Sequence, residues 1–467
     1  MCGASRVAWG LRVTRCPIAV DVRAAATLSG SYGSGYAICR LARAGGGEMG
    51  SKRSGTRHRT GRAGWLPLLL LAALTGDARG AEPPAGTPRL TPVTATDPLI
   101  AHTLYTWYTE QSFANASVRP LEIFRSDDPE YYRRYFSQLR ANGVDVIAGV
   151  LTGLPDERGT DGKPLPTSYQ ARNLVRILPI IGSAGMKFFI YYDLGIRSFW
   201  KCGLDRGELD LRKPELRRQL LGDFEWIADR VVKEQEDGYL FLQTASGEPV
   251  LDEDGFQRPV IAIYIARAFK DDPGFPNVRQ ILDREITGMF HRKGLGRPAL
   301  ILDTIFWGRR AFDSSLVAAF GANAAALTAF CPVTKRDDVH KLADWVPLFD
   351  RLYASAAAEL SDSVSRGELD ATLQIWPGIM PNFETRTDKS SRISGLQDWE
   401  AMLRMGLKAT RSLASVGKDD PIRAMTVVYS DEYYEGTPLI TDNGLFTLPL
   451  TVQGSVLVDS GIWLDRF

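Results

Sequence analysis

The sequence predicts an α/β fold, a (β/α)8 TIM-like barrel over residues 100–440 with a small C-terminal β appendage. Three observations favour this fold. Eight short apolar runs alternate with amphipathic segments, as expected where parallel strands alternate with helices. No glycine-rich dinucleotide or phosphate fingerprint follows an early strand, which disfavours a doubly wound open sheet. No internal repeat divides the region, so it is predicted to be one domain.

The predicted strands are runs rich in β-branched and aromatic residues, the composition typical of buried strands. They cover residues 104–108, 145–151, 187–194, 259–266, 299–306, 325–333, 371–376 and 424–429. The predicted helices carry apolar residues at helical spacing, such as Leu216, Leu220 and Phe224. They cover residues 129–141, 169–184, 209–235, 277–292, 338–365 and 396–414. Residues 441–467 alternate apolar residues with turn formers, which predicts the β appendage, packed on the barrel.

The N-terminal region resembles an export signal more than a folded domain. A basic stretch precedes the apolar run 65–74, and the A-R-G of residues 78–80 is a small-x-small cleavage site. We therefore predict a signal peptide at 49–80, starting at Met49, and a Pro/Thr-rich linker at 81–99. Residues 1–48 are interpreted as upstream sequence translated from an early start codon. Export to the periplasm or the extracellular space follows, with an uncleaved membrane anchor as the alternative.

Charge and cysteine content exclude several classes of function. Residues 1–80 hold 12 Lys+Arg and 3 Asp+Glu, so the rest of the chain carries 44 against 52. This acidic balance argues against a nucleic-acid partner. After cleavage only Cys202 and Cys331 remain; they could pair or stay separate buried thiols. No metal-ligand spacing is present, and neither a metal nor another cofactor is predicted.

The predicted last strand runs directly into a cluster of carboxylates and tyrosines, S-D-E-Y-Y-E-G-T at 430–437. Charge is costly to bury unpaired, so such a cluster usually lines a wet or ligand-filled cleft. Glu432 and Glu435 can converge only if the chain turns after the strand, and Gly436 makes such a turn easier. Two converging carboxylates beside aromatic rings are typical of glycoside cleavage. The alternative is a solvated loop after a core strand.

Other candidate side chains follow the predicted strands at the end where barrel enzymes keep their active sites. Aromatic faces stack on sugars, and carboxylates bind hydroxyls. The alternative for each aromatic residue is packing, and for each aspartate an ion pair with arginine. The predicted substrate-binding residues are Trp107, Tyr108, Tyr192, Asp193, Asp303, Trp307, Trp376, Tyr433 and Tyr434.

Several of these segments resemble glycoside hydrolase family 99, the endo-α-mannosidase and endo-mannanase family, and its bacterial relatives. The matching segments are Y-x-x-W-Y-like 105–108, K-F-x-I-Y-Y-D-like 187–193, the Y-L and G-x-P-V pieces within 239–250, P-G at 377–378 and S-x-N-E-W-x-E-G-T-like 429–437. The last motif is the specific one. Asp431, Tyr433 and Tyr434 depart from it, so mannose specificity is not carried over.

The resemblance implies a retaining mechanism in which the sugar's own 2-hydroxyl displaces the leaving group. Glu432 would act as base toward that hydroxyl, and Glu435 as general acid and then base. Glu435 must then be protonated near neutral pH, which burial against aromatic rings and the negative charge of Glu432 would favour. Cleavage of a poly- or oligosaccharide is therefore predicted, with endo action on α-mannosides as the leading substrate class. A non-catalytic glycan-binding or surface protein on the same barrel is the alternative.

Overall fold

The computed structural model describes most of the chain from residue 98 to residue 427. The described residues are 98–109, 112, 124–141, 143–159, 161–194, 209–269, 276–305, 310–329, 342–380, 383–384, 391–392, 396–410, 421, 423–427, 452–453 and 456–457. The predicted segments 1–48 and 49–80, nearly all of 81–99, and both Cys202 and Cys331 lie outside them. Within the described ranges, no helix combines the length and the apolar character that crossing a bilayer requires.

Seven parallel strands of four or more residues form the centre of the fold, which is α/β and consistent with part of a TIM barrel. They are β1 (Leu99–Leu104), β2 (Val146–Leu151), β3 (Lys187–Asp193), β4 (Val260–Tyr264), β5 (Ala299–Asp303), β6 (Ala324–Thr328) and β11 (Ala424–Val427). Their interiors are almost completely buried, as expected for strands covered on both faces. The side chains at the carboxyl ends of these strands therefore lie along one edge of the sheet.

Two two-residue strands, β7 (Gln374–Ile375) and β8 (Gly378–Ile379), lie at opposite ends of the row β7-β6-β5-β4-β3-β2-β1-β11-β8. Only Trp376 and Pro377 separate them in the chain, so this segment connects the two ends of the row. Proline has no amide hydrogen and interrupts a strand ladder. The Pro377 carbonyl still accepts from the Thr426 amide at 2.9 Å, which ties the segment to β11.

Helices pack around the sheet, and several begin with proline, which suits the first helical position. The α-helices are α1 (Pro129–Ala141), α2 (Pro166–Ser183), α3 (Pro214–Trp226), α4 (Pro276–Gln280), α5 (Thr287–Arg292), α6 (Ser314–Phe320), α7 (Leu342–Ser365) and α8 (Leu396–Thr410). Two π-helical segments, Ile227–Lys233 and Ile281–Ile286, continue α3 and α4. The short strands β9 (Phe383–Glu384) and β10 (Ser391–Arg392) form a separate antiparallel pair.

The sequence predicted most of these elements, but it placed the first strand too late. Residues 99–102 pair in parallel register with 424–427, whereas residues 105–109 leave the sheet. The prediction also lacked α6, which starts where the Asp313 carboxylate accepts the amides of Ser315 and Leu316. Of the predicted C-terminal appendage, the described residues show one antiparallel pair, β12 (Val452–Gln453) and β13 (Val456–Leu457).

Candidate functional site

The segment that leaves β1 is fixed by buried hydrogen bonds to α2. The Thr106 hydroxyl donates to the Gln170 carbonyl at 2.9 Å, and the Asn173 side-chain amide donates to the Thr106 carbonyl at 3.1 Å. Gln170 also donates to the Val150 carbonyl at 3.1 Å, which joins the exits of β1 and β2. Because each polar group is buried with a partner, the segment has one defined path.

This path brings Trp107 to the carboxyl edge as a partly buried ring. The indole lies 4.4 Å from the Tyr105 ring, centroid to centroid, and 6.2 Å from the Tyr108 ring. Tyr108 itself is fully buried and exchanges backbone and side-chain hydrogen bonds with Ser126. Trp107 is therefore a partly buried ring at the edge, whereas the contacts of Tyr108 are those of a packing residue.

Alternation along β3 separates Tyr192 from its two neighbours. The Tyr192 hydroxyl donates to Asp223 Oδ2 on α3 at 2.5 Å, so its side chain faces the helix layer. Tyr191 and Asp193 must then face the opposite side of the sheet. Asp193 is only 6 % exposed and lies opposite Tyr264, the last residue of β4. The predicted substrate role of Tyr192 gains no support from this geometry, whereas that of Asp193 is compatible with it.

Tyr191 lies within electrostatic range of charged side chains on β3, on β5 and after β4. Burial raises the pKa of its hydroxyl well above the usual range, and the carboxylates of Asp303 and Asp193 raise that pKa further. Arg267 lowers it to a smaller degree, so the guanidinium also lies within electrostatic range. The Tyr264 ring lies 6.5 Å from the Tyr191 ring. Tyr191 is therefore a neutral hydroxyl within electrostatic range of two carboxylates, and a hydroxyl can both donate and accept a hydrogen bond.

Asp303, the last residue of β5, is buried and binds the exit of the neighbouring strand. Its Oδ2 accepts the Ile265 amide at 2.9 Å and the Arg267 guanidinium at 3.3 Å. Ile265 has φ 57° and ψ 41°, and it is the single non-glycine residue with positive φ among those described. The left-handed conformation costs an L-residue about 1–2 kcal/mol, and more crowding arises with a β-branched side chain. A strained residue at the carboxyl end of a barrel strand is a recognised mark of a functional site.

Trp376 is almost completely buried, and its indole Nε1 donates to Gln374 Oε1 at 3.0 Å. Gln374 in turn donates to the Pro421 carbonyl at 2.5 Å. These contacts are those of a core residue that fills the space beside the strand break. They give no support to the predicted contact between Trp376 and a substrate.

Five of the predicted residues lie outside the described residues: Glu432, Glu435, Tyr433, Tyr434 and Trp307. β11 leads toward the first four of these positions, and it runs parallel to β1 within the sheet.

A polar depression of about 360 Å³ lies between the loop after β2 and the start of α3. Its lining residues are Glu157, Lys213, Glu215, Leu216 and Gln219. Because both segments follow the carboxyl ends of neighbouring strands, the depression opens on the same side of the sheet as Trp107 and Asp193. Among the described residues, no group of three or more His, Cys, Asp or Glu side chains is arranged to hold a metal ion.

Sequence reasoning missed Tyr191, Tyr264, Ile265 and Arg267. The period of two along β3 was a usable signal for Tyr191, since Asp193 had been assigned to the site and residues 191 and 193 share a face. Nothing in I-Y-I-A-R-A, residues 263–268, indicates a left-handed isoleucine. That conformation depends on Asp303, which is 38 positions away in the sequence.

Comparisons with known proteins show similarity of fold. No protein-family model matches the sequence, and no curated protein is significantly similar to it. Among solved structures, a glycoside hydrolase-like protein matches with a TM-score of 0.50 and 13% identity, over 76% of this chain and 90% of that chain. The GH99 endo-alpha-mannosidase from Bacteroides thetaiotaomicron matches with a TM-score of 0.46 and 12% identity, over 79% of this chain and 96% of that chain. The chain therefore has an α/β fold similar to that of the glycoside hydrolase-like protein.

Proposed function

We propose that this protein is a glycoside hydrolase that cleaves a poly- or oligosaccharide with Glu432 and Glu435. The observation that carries the proposal is the S-D-E-Y-Y-E-G-T motif placed directly after a strand of the parallel sheet. Carboxyl ends of parallel strands share one edge, so β11 ends at the same edge of the sheet as β1 and β3, which lead to Trp107 and Asp193. The fold similarity to a glycoside hydrolase-like protein agrees with this assignment.

The proposal includes a closed (β/α)8 barrel. β7 and β8 would then be two halves of a single strand that Pro377 interrupts, with β6 on one side and β11 on the other. Tyr353 supports this interpretation, because its hydroxyl accepts the Gly378 amide at 2.9 Å and donates to the Gly378 carbonyl at 2.7 Å. A side chain from α7 thereby replaces the ladder contacts that are missing at the interruption.

In the proposed reaction, Glu432 draws a proton from the 2-hydroxyl of the sugar, and that oxygen attacks the anomeric carbon. Glu435 protonates the leaving oxygen and then activates water, so the anomeric configuration is retained. α-Mannosides are the first substrate class to test, with endo action. Trp107 supplies a ring face, and Tyr191 and Asp193 supply hydrogen-bonding groups for sugar hydroxyls. The predicted Trp307, Tyr433 and Tyr434 complete the proposed binding site.

The test is hydrolysis of a panel of α-mannans and other bacterial and plant glycans by the wild type, Glu432→Gln and Glu435→Gln. Each variant should lose roughly 10³-fold or more in rate, since every 1.4 kcal/mol of lost transition-state stabilisation is about tenfold. A substrate whose leaving group needs no protonation should rescue Glu435→Gln but not Glu432→Gln. Full activity in either variant would remove the pair from the mechanism. Binding without cleavage by the wild type would instead indicate a glycan-binding protein.

We also propose that the protein is exported and that its mature N-terminus lies near Ala81. The support is the order of basic, apolar and small residues in 49–80. N-terminal sequencing of the exported protein tests this directly. A chain that retains residues before Met49 would contradict it.

A further inference from the structure

The exit of β4 is a single turn whose direction depends on Ile265. The Ile265 carbonyl accepts the Ala268 amide at 2.8 Å, which closes the turn. Ala266 and Ala268 are fully buried in it, and the Ala268 carbonyl accepts the Leu209 amide at 2.6 Å. Arg267 lies between the two buried alanines, and its side chain is 40 % exposed. The turn therefore fixes its backbone inside the fold and presents one charged side chain outside it.

The left-handed conformation of Ile265 needs an external support, because an isoleucine avoids it in a free chain. Asp303 supplies the contact that stabilises this conformation. Its Oδ2 accepts the Ile265 amide, and the carboxylate is held on the last position of a buried strand. The same oxygen accepts from Arg267, so one carboxylate fixes both the turn and the side chain that the turn presents.

We infer that Asp303 is a positioning residue, which holds Ile265 in its strained turn so that Arg267 contacts the bound substrate. The inference rests on the proposed function and deepens it by naming Arg267 as a contact with the glycan. It differs from the sequence-based expectation, in which Asp303 itself binds substrate. Arg267 fits this role because its guanidinium lies 3.3 Å from Asp303 Oδ2 at the carboxyl end of β5, and its side chain is partly exposed.

The experiment compares Asp303→Asn, Asp303→Ala, Ile265→Gly and the double variant Asp303→Ala/Ile265→Gly, on the glycan that the wild type cleaves. Asparagine keeps an acceptor for the Ile265 amide, whereas alanine removes it. Without the acceptor, the turn should relax. The fraction of molecules with Ile265 in the left-handed conformation should then fall roughly five- to thirtyfold, which is the equivalent of the left-handed penalty. Glycine adopts positive φ without that penalty, so the double variant should recover most of the loss. Ile265→Gly alone measures the effect of losing the isoleucine side chain.

The kinetic constants distinguish positioning from general damage. A substrate that binds only when Ile265 is left-handed shifts the protein toward that conformation. Asp303→Ala should therefore raise KM roughly five- to thirtyfold and leave kcat within about threefold. Partial unfolding would lower kcat at unchanged KM. Arg267→Gln should raise KM similarly, and Ile265→Gly should not rescue it. Asp303→Asn should stay close to the wild type.

Hydrogen exchange of residues 264–269 tests the turn without any substrate. The Ile265 amide should be protected in the wild type and in Asp303→Asn, and exchange faster in Asp303→Ala. If exchange changes in this way but the protein neither binds nor cleaves a glycan, the proposed function is refuted. The role of Asp303 in the turn is then still supported. Unchanged exchange in Asp303→Ala would overturn the inference. It would also be overturned if Asp303→Asn were as impaired as Asp303→Ala and Ile265→Gly rescued neither.

Discussion

Stability of the fold should fall steeply in mild acid because of one buried histidine. His102, on β1, is fully buried, and its Nε2 lies 2.7 Å from the Tyr135 hydroxyl of α1. Its Nδ1 is buried as well and has no hydrogen-bond partner. Burial without a counter-charge lowers the pKa of His102 from 6.5 to about 3. The folded protein therefore holds a neutral imidazole at every pH above that range.

The sign and the size of the effect follow from proton linkage. The unfolded chain binds a proton at His102 near pH 6.5, and the folded chain does so only near pH 3. The contribution to stability is therefore fully present above pH 6.5 and is lost as the pH falls from 6.5 to about 3. At pH 5 the folded imidazole is still neutral, and protonation of the unfolded chain alone removes about 2 kcal/mol.

The assay is urea unfolding at pH 7.5 and pH 5.0 for the wild type and for His102→Gln. Carboxylates that titrate in this range act equally in both proteins, so they cancel in the difference. The wild type should lose about 2 kcal/mol more free energy of unfolding than the variant between the two values. Tyr135→Phe is the matched control, because it removes the partner and keeps the histidine, and it should retain the full acid sensitivity. Parallel pH dependence in wild type and His102→Gln would refute the argument.

Three further predictions concern single side chains. Tyr192→Phe removes the Tyr192 donor from the buried Asp223 carboxylate and should lower the free energy of unfolding by about 1.5–3 kcal/mol at unchanged kcat, measured by denaturant unfolding and glycan hydrolysis. Tyr353→Phe leaves the Gly378 amide and carbonyl without this partner and should cost about 1–3 kcal/mol in the same assay. Trp107→Ala should weaken glycan binding roughly tenfold in calorimetry with little loss of secondary structure by circular dichroism, since 1.4 kcal/mol corresponds to one decade.

The strands and helices could be predicted because their signals are local. The predicted strand 187–194 and the predicted helix 129–141 correspond to β3 and α1 at nearly the same bounds. The start of β1 could not be predicted this way. Residues 99–102 are no more strand-like than 104–108, and their selection depends on pairing with 424–427. That pairing joins segments more than 300 positions apart in the chain.

The edge of the sheet that carries the candidate site could be predicted from the sequence, but several of its residues could not. Strand ends mark the edge, and this rule selected Asp193 and Asp303 from the sequence. The face of each side chain requires the register of the strand, so Tyr192 was chosen where Tyr191 shares the face of Asp193. The strained Ile265 depends on a contact with a distant carboxylate, which no local pattern encodes.

The acid sensitivity and the proposed chemistry meet at the junction of β1 and β11. His102 lies opposite Val427, which precedes the proposed catalytic pair by a few residues. The proposed mechanism needs a protonated Glu435, and that form becomes more populated as the pH falls. The fold loses stability over the same interval, because the unfolded chain gains a proton at His102. The alkaline limit of activity should report Glu435 as the general acid, and the acid limit should report protonation of Glu432, because the proposed mechanism needs that group as a base. On that account His102→Gln should leave both limits of activity in place and change only the pH dependence of the free energy of unfolding.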